Sequence, residues 1–290
     1  MTTAAFLLVL GSAFLHASWN FLLKRSGHKA AFLCGLGIVS FSIFFVPALV
    51  LALRDDIGMA GLAFGAGSAL LHGVYGRALA RGYQLGDLST VYPIARGLGP
   101  ALIPLVAVLL LDESISNVAI GGIALVLVGI VIIQAEAPSL RELLRPFRSV
   151  DRPAVRVAVF TGILITIYSL WDKTALDHLP PITLSQFGLT GHVLFLAPLA
   201  LRGGGPPLLT EWRKGRATVL AAGLFAPAAY ILVLTALTTS QVSYVASVRE
   251  VGIVIGTILG VALLREGFGA PRIAAALLIV GGVLTIGAAP

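Results

Sequence analysis

The chain has 290 residues, 58% of them hydrophobic and 11% charged, with a mean hydropathy of +0.98. No single soluble core hides that much apolar surface, so the composition excludes a soluble domain and calls for an integral membrane protein. The formal charge of +7 is no nucleic-acid signal, because most of the cations sit in a few short loops between apolar runs.

Ten apolar runs follow one another at 4–23, 31–53, 58–80, 88–111, 117–135, 154–174, 182–201, 217–238, 242–264 and 271–289. Each is near the ~20 residues that cross a hydrocarbon layer, and the runs lack strict polar alternation, so they predict helices rather than barrel strands. The first run is longer than a signal-peptide core and no basic residue precedes it, so a retained span is expected. Along it His16, Trp19, Asn20 and Lys24 fall close to one helical stripe. Cys34 in span 2 is the single cysteine, which excludes an internal disulfide and a thiol ligand pair.

Span 3 carries Gly61, Gly65, Ala69 and Gly73 at four-residue spacing, a stripe that lets helix backbones approach, with His72 and Tyr75 as candidate pocket walls. Span 4 places Ser89, Tyr92 and Arg96 on one face. Its Pro93, Pro100 and Pro104, with Gly97 and Gly99, predict a helix interrupted three times, freeing carbonyls near Arg96. The plain alternative is a kink that only shapes the bundle. After span 5 comes the polar linker 136–153, with Pro138, Pro146, Pro153 and four arginines.

Span 6 ends in Tyr168, Trp171, Asp172 and Lys173, and span 8 offers Tyr230 and several threonines. For Trp171 the membrane-interface belt is the competing reading, and Lys24 and Lys173 are placed to snorkel. In span 9, Ser243, Ser247 and Glu250 share a face beside Arg249, Tyr244 is a further pocket wall, and Gly252, Gly256 and Gly260 repeat the small-residue stripe. Spans 2, 5 and 10 are nearly free of ionisable groups and are expected at the lipid face or rim, leaving spans 1, 3, 4, 6 and 9 around something wet.

Sliding the chain by about 153 positions pairs Arg96 with Arg249, Gly99 with Gly252, Glu113 with Glu266 and Gly129 with Gly282, and more weakly Trp19-Asn20 with Trp171-Asp172. The predicted domains are a five-helix repeat over 1–135, the basic linker 136–153 and a second repeat over 154–290. Because five is odd, the copies enter the membrane from opposite sides, which gives an inverted repeat. Arg96 and Arg249 then approach the midplane from opposite faces, each about 5–6 Å from the centre of its span. Loops after odd-numbered spans hold Lys24, Arg25, Lys29, Arg81, the linker arginines, Arg213, Lys214 and Arg216, while loops after even spans offer little beyond Arg54 and Lys173. Basic short loops stay cytoplasmic, so both termini are expected outside and the linker inside.

Intramembrane cations are costly and mark a pathway. Two guanidinium forks suit a carboxylate or phosphate, with Glu250 balancing charge, binding an amine or carrying a proton. The competing reading has Arg96 and Arg249 capping freed carbonyls or pairing with Glu250 only to hold the bundle. Glu113 and Glu266 fall at span exits, where serving helix ends and interhelical pairing is the expected role. No His-Glu-x-x-His, phosphate-cradling loop or nucleophile elbow occurs, and the histidines form no i, i+4 metal pair, so neither an enzyme nor a metal or cofactor site is expected.

The runs Leu15-His16-Ala17-Ser18-Trp19-Asn20 and Val91-Tyr92-Pro93-Ile94-Ala95-Arg96-Gly97-Leu98-Gly99-Pro100 reaching Asp112-Glu113, with a second Leu-Leu-x-Glu at Glu266, resemble EamA-type members of the drug/metabolite transporter superfamily. The resemblance covers both halves and implies an all-α membrane protein of ten helices, two inverted repeats around a cavity lined by spans 1, 3, 4, 6, 8 and 9. It implies a transporter of amino acids, other small metabolites or nucleotide-linked compounds, often outward, and Arg96 with Arg249 adds the expectation of an exporter of a small polar anionic metabolite such as an amino or organic acid in the bacterial inner membrane. A broad multidrug exporter and a non-transporting scaffold are the alternatives. Span 1 lacks the acidic residue with which the small four-span multidrug relatives couple to protons, and Glu250 is the expected substitute. The candidate substrate contacts are Arg96, Tyr92, Arg249, Glu250, Trp19, Asn20, His16, His72, Tyr75, Tyr168, Trp171, Asp172 and Tyr244. The expected partners are a small-molecule substrate and the bilayer, with a homodimer as one arrangement and no nucleic acid.

Overall fold

A computed structural model describes residues 1–27, 29–85, 88–134, 153–201, 206–264 and 270–289. The linker before Pro153, Glu266 and the side chains of Ser89 and Tyr92 lie outside the described residues. Among the described residues all regular structure is helical: α1 (Thr3–Arg25), α2 (Lys29–Arg54), α3 (Met59–Leu85), α4 (Leu88–Leu110), α5 (Asn117–Gln134), α6 (Pro153–Ala175), α7 (Pro181–Leu201), α8 (Pro206–Leu237), α9 (Val242–Val248), α10 (Val251–Leu264) and α11 (Ala270–Gly287). Every predicted run is a helix, and only the ninth is divided, into α9 and α10. Thr3–Arg25, Ala31–Arg54, Pro153–Ala175, Trp212–Leu237 and Val242–Leu259 are each long and apolar enough to cross a bilayer.

Helix ends follow local chemistry. The Thr2 hydroxyl accepts from Ala5 N at 3.2 Å and caps α1, whose last turn carries Lys24 and Arg25 against the negative end of the helix dipole. Asp56 and Asp112 take left-handed backbone (φ 44° and 52°) just beyond α2 and α4, where a short polar side chain tolerates that conformation. Helix α8 starts earlier than predicted and is kinked at Gly215 (φ −149°, ψ 40°), which sets the segment bearing Trp212, Arg213 and Lys214 apart from the apolar run that follows.

The predicted interruption of span 4 is corrected: α4 runs unbroken from Leu88 to Leu110 despite its prolines. Packing holds it, since Leu98 lies on Gly162 and Gly99 on Ile165 of α6, and membrane helices tolerate proline where neighbours support them. The break falls instead at Arg249-Glu250, which contain no proline. There the bonds tighten to three-residue steps, Glu250 N to Ser247 O (3.2 Å), Gly252 N to Arg249 O (3.1 Å) and Ile253 N to Glu250 O (2.9 Å). Ser247 also turns its hydroxyl back to Ser243 O at 2.9 Å, a habit that bends helices.

Helices pack as α1 with α8, α3 with α6, α2 with α8, α3 with α7, α4 with α6, α1 with α10, α2 with α7 and α5 with α11. Exchanging the first five runs for the last five turns this set into itself: α1–α8 becomes α6–α3, α2–α8 becomes α7–α3, and α4–α6 becomes the ninth run on α1. The two pairs mapped onto themselves are antiparallel. In one, Gly122 meets Gly282 and Ile286 while Gly129 meets Ala275 and Ile279. In the other, Gly37 faces Val193 while the Thr183 hydroxyl donates to Ala48 O at 3.2 Å.

Small residues act as expected in span 3, where a Cβ on Gly65 would come within 2.6 Å of the Phe187 ring and one on Gly73 within 2.5 Å of Phe195. The span 9 stripe does not: Gly252 lies over Ala13, but Gly256 has nothing within 4 Å of an added Cβ. Apolar side chains such as Val46 and Leu53 on α2, Val128 on α5 and Leu277 on α11 point outward, as a lipid-facing surface requires.

Candidate functional site

Two polar centres lie within the bundle, joined by one tyrosine. At the first, Arg96 on α4 donates from Nη2 to Glu250 Oε1 at 3.3 Å, with both side chains largely buried and Glu250 only 3% exposed. The sequence neighbours Arg249 and Glu250 thus part company. Glu250 crosses to α4, whereas Arg249 lines a cavity of about 30 Å³ with Arg96, Pro100, Ser169, Tyr230 and Glu250. At roughly 10–15 Å³ for each water, the space beside the ion pair has room for about two waters. Two guanidiniums against one carboxylate leave the centre with one net positive charge. Arg249 Nε and Glu250 Oε2 are buried without hydrogen-bond partners among the described residues.

The second centre gathers around Asp172 of α6, which is fully buried. His72 Nε2 on α3 lies 2.8 Å from its Oδ2, and the Tyr230 hydroxyl on α8 donates to the same oxygen. Tyr230 is also 3.2 Å from His72 Nε2, so the three groups close a triangle. Asp172 Oδ1 has no partner among the described residues. Aromatic rings wall the triangle in, with Tyr168 4.4 Å and His192 5.6 Å from His72, and Tyr75 5.3 Å from Tyr168. Tyr230 faces both centres, since the same side chain lines the cavity at Arg96 and Arg249.

Residues 152–288 match the EamA-like transporter family. A solved structure described as "Crystal structure of protein" covers 98% of this chain and 96% of its own, with a TM-score of 0.76 and 18% identity; at that identity the likeness speaks to the fold alone. No curated protein matches the chain in sequence. The EamA match and the apolar helices together point to a multi-pass integral membrane protein.

The matched segment supplies Tyr168, Asp172, Tyr230, Arg249 and Glu250, and the part before it supplies His72, Tyr75 and Arg96. Both centres are therefore shared between the halves. His16 lies within electrostatic reach of Arg96 and Arg249, but its neighbours on α1 bond locally: Trp19 Nε1 donates to His16 Nδ1 at 3.3 Å and Asn20 Nδ2 to His16 O at 2.7 Å. Trp19 also packs against the cluster of Phe32, Leu36, Val39 and Val219.

Two candidates stand apart from both centres. Trp171 is 36% exposed and donates to Phe64 O at 2.9 Å, with its ring tilted against that of Phe64, a belt-like position. Tyr244 is buried, and its hydroxyl accepts from Ser116 N at 3.3 Å in the connection after α4. Neither reaches the cavity lining.

Some residues with structural work to do were underrated in the sequence. Glu113 accepts from Val242 N (2.6 Å), Ser243 N (3.2 Å) and the Ser243 hydroxyl, so it caps the start of α9, the specific form of the helix-end role expected of it. Lys173 does not snorkel but donates to Leu237 O (2.5 Å) and Ser240 O (3.1 Å) at the end of α8. Tyr230 and His192 were not among the candidates. A phenolic hydroxyl near the middle of span 8, the one tyrosine among its threonines, was the available signal for Tyr230; His192 carried none that set it apart from a packed histidine.

Proposed function

We propose that the protein is a secondary transporter that carries a small anionic metabolite, an amino or organic acid, by alternating access between two inverted five-helix halves. The observation that carries this reading is the Arg96–Glu250 pair beside Arg249, a net-cationic centre in an apolar bundle, held between an intact helix and a broken one. Desolvated charges of this kind are expensive and persist where they serve passage. An arriving carboxylate competes with Glu250 for the Arg96 fork and engages Arg249, exchanging an internal ion pair for one to the cargo. The contact across the two halves is thereby loosened when substrate binds.

The exchange-symmetric helix pairing supports the repeat. Its self-paired helices are antiparallel, and a two-fold axis that swaps antiparallel helices runs perpendicular to them, in the membrane plane. Basic residues at one end of the bundle, Lys24, Arg25, Arg81, Arg213 and Lys214, against Asp55, Asp56, Asp112, Glu113 and Asp177 at the other, support a cytoplasmic location for the basic end in a bacterial inner membrane. The family resemblance favours outward movement. Net positive charge in the cavity opposes a lipophilic-cation cargo.

Counterflow in proteoliposomes with a pool of amino and organic acids tests the reading. Accumulation of labelled acid is expected in the parent and is lost in Arg96→Ala. A folded Arg96→Ala protein that exchanges acids at the parent rate overturns it.

A further inference from the structure

We propose that Asp172, His72 and Tyr230 form a proton-binding site separate from the Arg96–Glu250 pair, and that its proton crosses together with the anionic cargo. This rests on the transport reading above and assigns the proton to span 6 rather than to Glu250.

The geometry is that of a carboxylate built to exchange a proton. Asp172 is fully buried, one oxygen is engaged by both His72 Nε2 at 2.8 Å and the Tyr230 hydroxyl, and the other, Oδ1, has no partner among the described residues. A purely structural carboxylate spends both oxygens on donors, because a buried unsatisfied acceptor is costly. With one shared proton the Asp172–His72 pair is neutral overall, whichever of the two carries it. Without that proton the pair is a buried anion, which a low-dielectric interior rejects unless a positive charge stands nearby.

Arg249 supplies that positive charge. The groups around Asp172 are His72 and Tyr75 from α3, Arg96 from α4, Tyr168 and Lys173 from α6, Tyr230 from α8, Arg249 and Glu250 at the break, and His192 beyond the His72 ring. Lys173 is committed to the carbonyls of Leu237 and Ser240, and Arg96 and Glu250 balance each other. Arg249 is left as the net cation of the cavity, and Tyr230 spans the two centres. An empty, deprotonated carrier is therefore balanced by Arg249. When a monovalent anion neutralises Arg249, the triangle regains its proton to stay balanced, so anion and proton favour each other's binding.

The step itself is a proton transfer. One O–H bond of hydronium from the open aqueous side breaks, an O–H or N–H bond forms on the Asp172–His72 pair, and water leaves. Release on the other side reverses it. A cytoplasmic acid held above its outside level then drives both species outward.

Infrared titration of the full-length protein in lipid reads the proton directly, with no substrate needed. A carboxylic-acid carbonyl band that titrates with pH is expected in the parent, lost in Asp172→Asn, retained in Glu250→Gln and shifted in Tyr230→Phe, which removes one donor while keeping the ring. If the band survives Asp172→Asn, or if Tyr230→Phe leaves it unmoved, the site is wrong. The second arm uses vesicles loaded with a pH-sensitive dye and acids that do not cross lipid unaided. Acid uptake that acidifies the lumen, with the acidification lost in Asp172→Asn, supports coupling. Net acid uptake without acidification in the parent overturns the coupling and leaves acid transport standing. A titrating Asp172 band with no counterflow at all overturns the transport reading and the coupling while the proton site stands.

Discussion

Span 4 and span 9 carry the same Arg-to-Glu spacing, with Arg96 and Arg249 at matching positions, yet they fold differently. The span with three prolines is a continuous helix, and the span with none at its centre is broken beside its arginine. Proline content therefore says less about helix continuity inside a membrane bundle than the demands of buried charge. In α4 the lost amide donors are tolerated because α6 packs along it at Leu98 and Gly99. In the ninth span, Glu250 is drawn across to Arg96 and Glu113 anchors the start of the short α9, and the helix yields between these two fixed points.

The largest effect expected from testing this contrast is at the ion pair. Arg96→Ala strands the Glu250 carboxylate in the interior and is expected to cost about 3–5 kcal/mol, while Arg96→Leu combined with Glu250→Leu recovers most of that stability without recovering transport. Thermal unfolding in detergent read beside counterflow separates the two; a double variant as unstable as the single would mean the break is held by something else.

Next come the equivalent glycines. A Cβ on Gly99 would sit 2.8 Å from Ile165, whereas one on Gly252 first meets Ala13 O at 3.4 Å. Gly99→Ala is therefore expected to destabilise by about 1–3 kcal/mol, and Gly252→Ala by clearly less. Equal losses in melting temperature would remove the claim that α4 is the more tightly supported copy.

Removing the cap of α9 follows. Glu113→Ala is expected to lower stability by about 0.5–2 kcal/mol and to speed hydrogen exchange at the first amides of α9 more than in α10. Uniform exchange along both pieces would argue against an anchored break.

The smallest change is expected at Pro104, well into an already continuous helix. Pro104→Ala restores one amide donor and is expected to shift stability by less than about 1 kcal/mol. A large gain would show that α4 is strained by its prolines after all.

Much of the fold was legible because membrane spans announce themselves by length and composition: each of the ten runs became helix within a few residues of its predicted limits, apart from the early start of α8. The site was legible in kind. Arg96, Arg249, Glu250, His72 and Asp172 stood out as polar groups in apolar runs, since an intramembrane charge is conspicuous wherever it lies. Their grouping was not. Trp171 and Asp172 are adjacent in sequence, yet one is at the rim and the other fully buried, because neighbouring helix positions point about 100° apart. For the same reason Glu250 was read beside Arg249 although its partner is 154 residues away.

Composition, run lengths and the repeated Arg-to-Glu spacing by themselves determined a helical membrane protein and marked which residues bear its polar chemistry, since the cost of charge in hydrocarbon depends on residue type and span position alone. Only the tertiary structure decided that the ninth span breaks and the fourth does not, that Arg96 takes Glu250, and that Tyr230 joins Asp172 and His72 to the cavity. Those outcomes depend on which donors and acceptors meet across helices distant in sequence, and no one-dimensional pattern encodes that meeting.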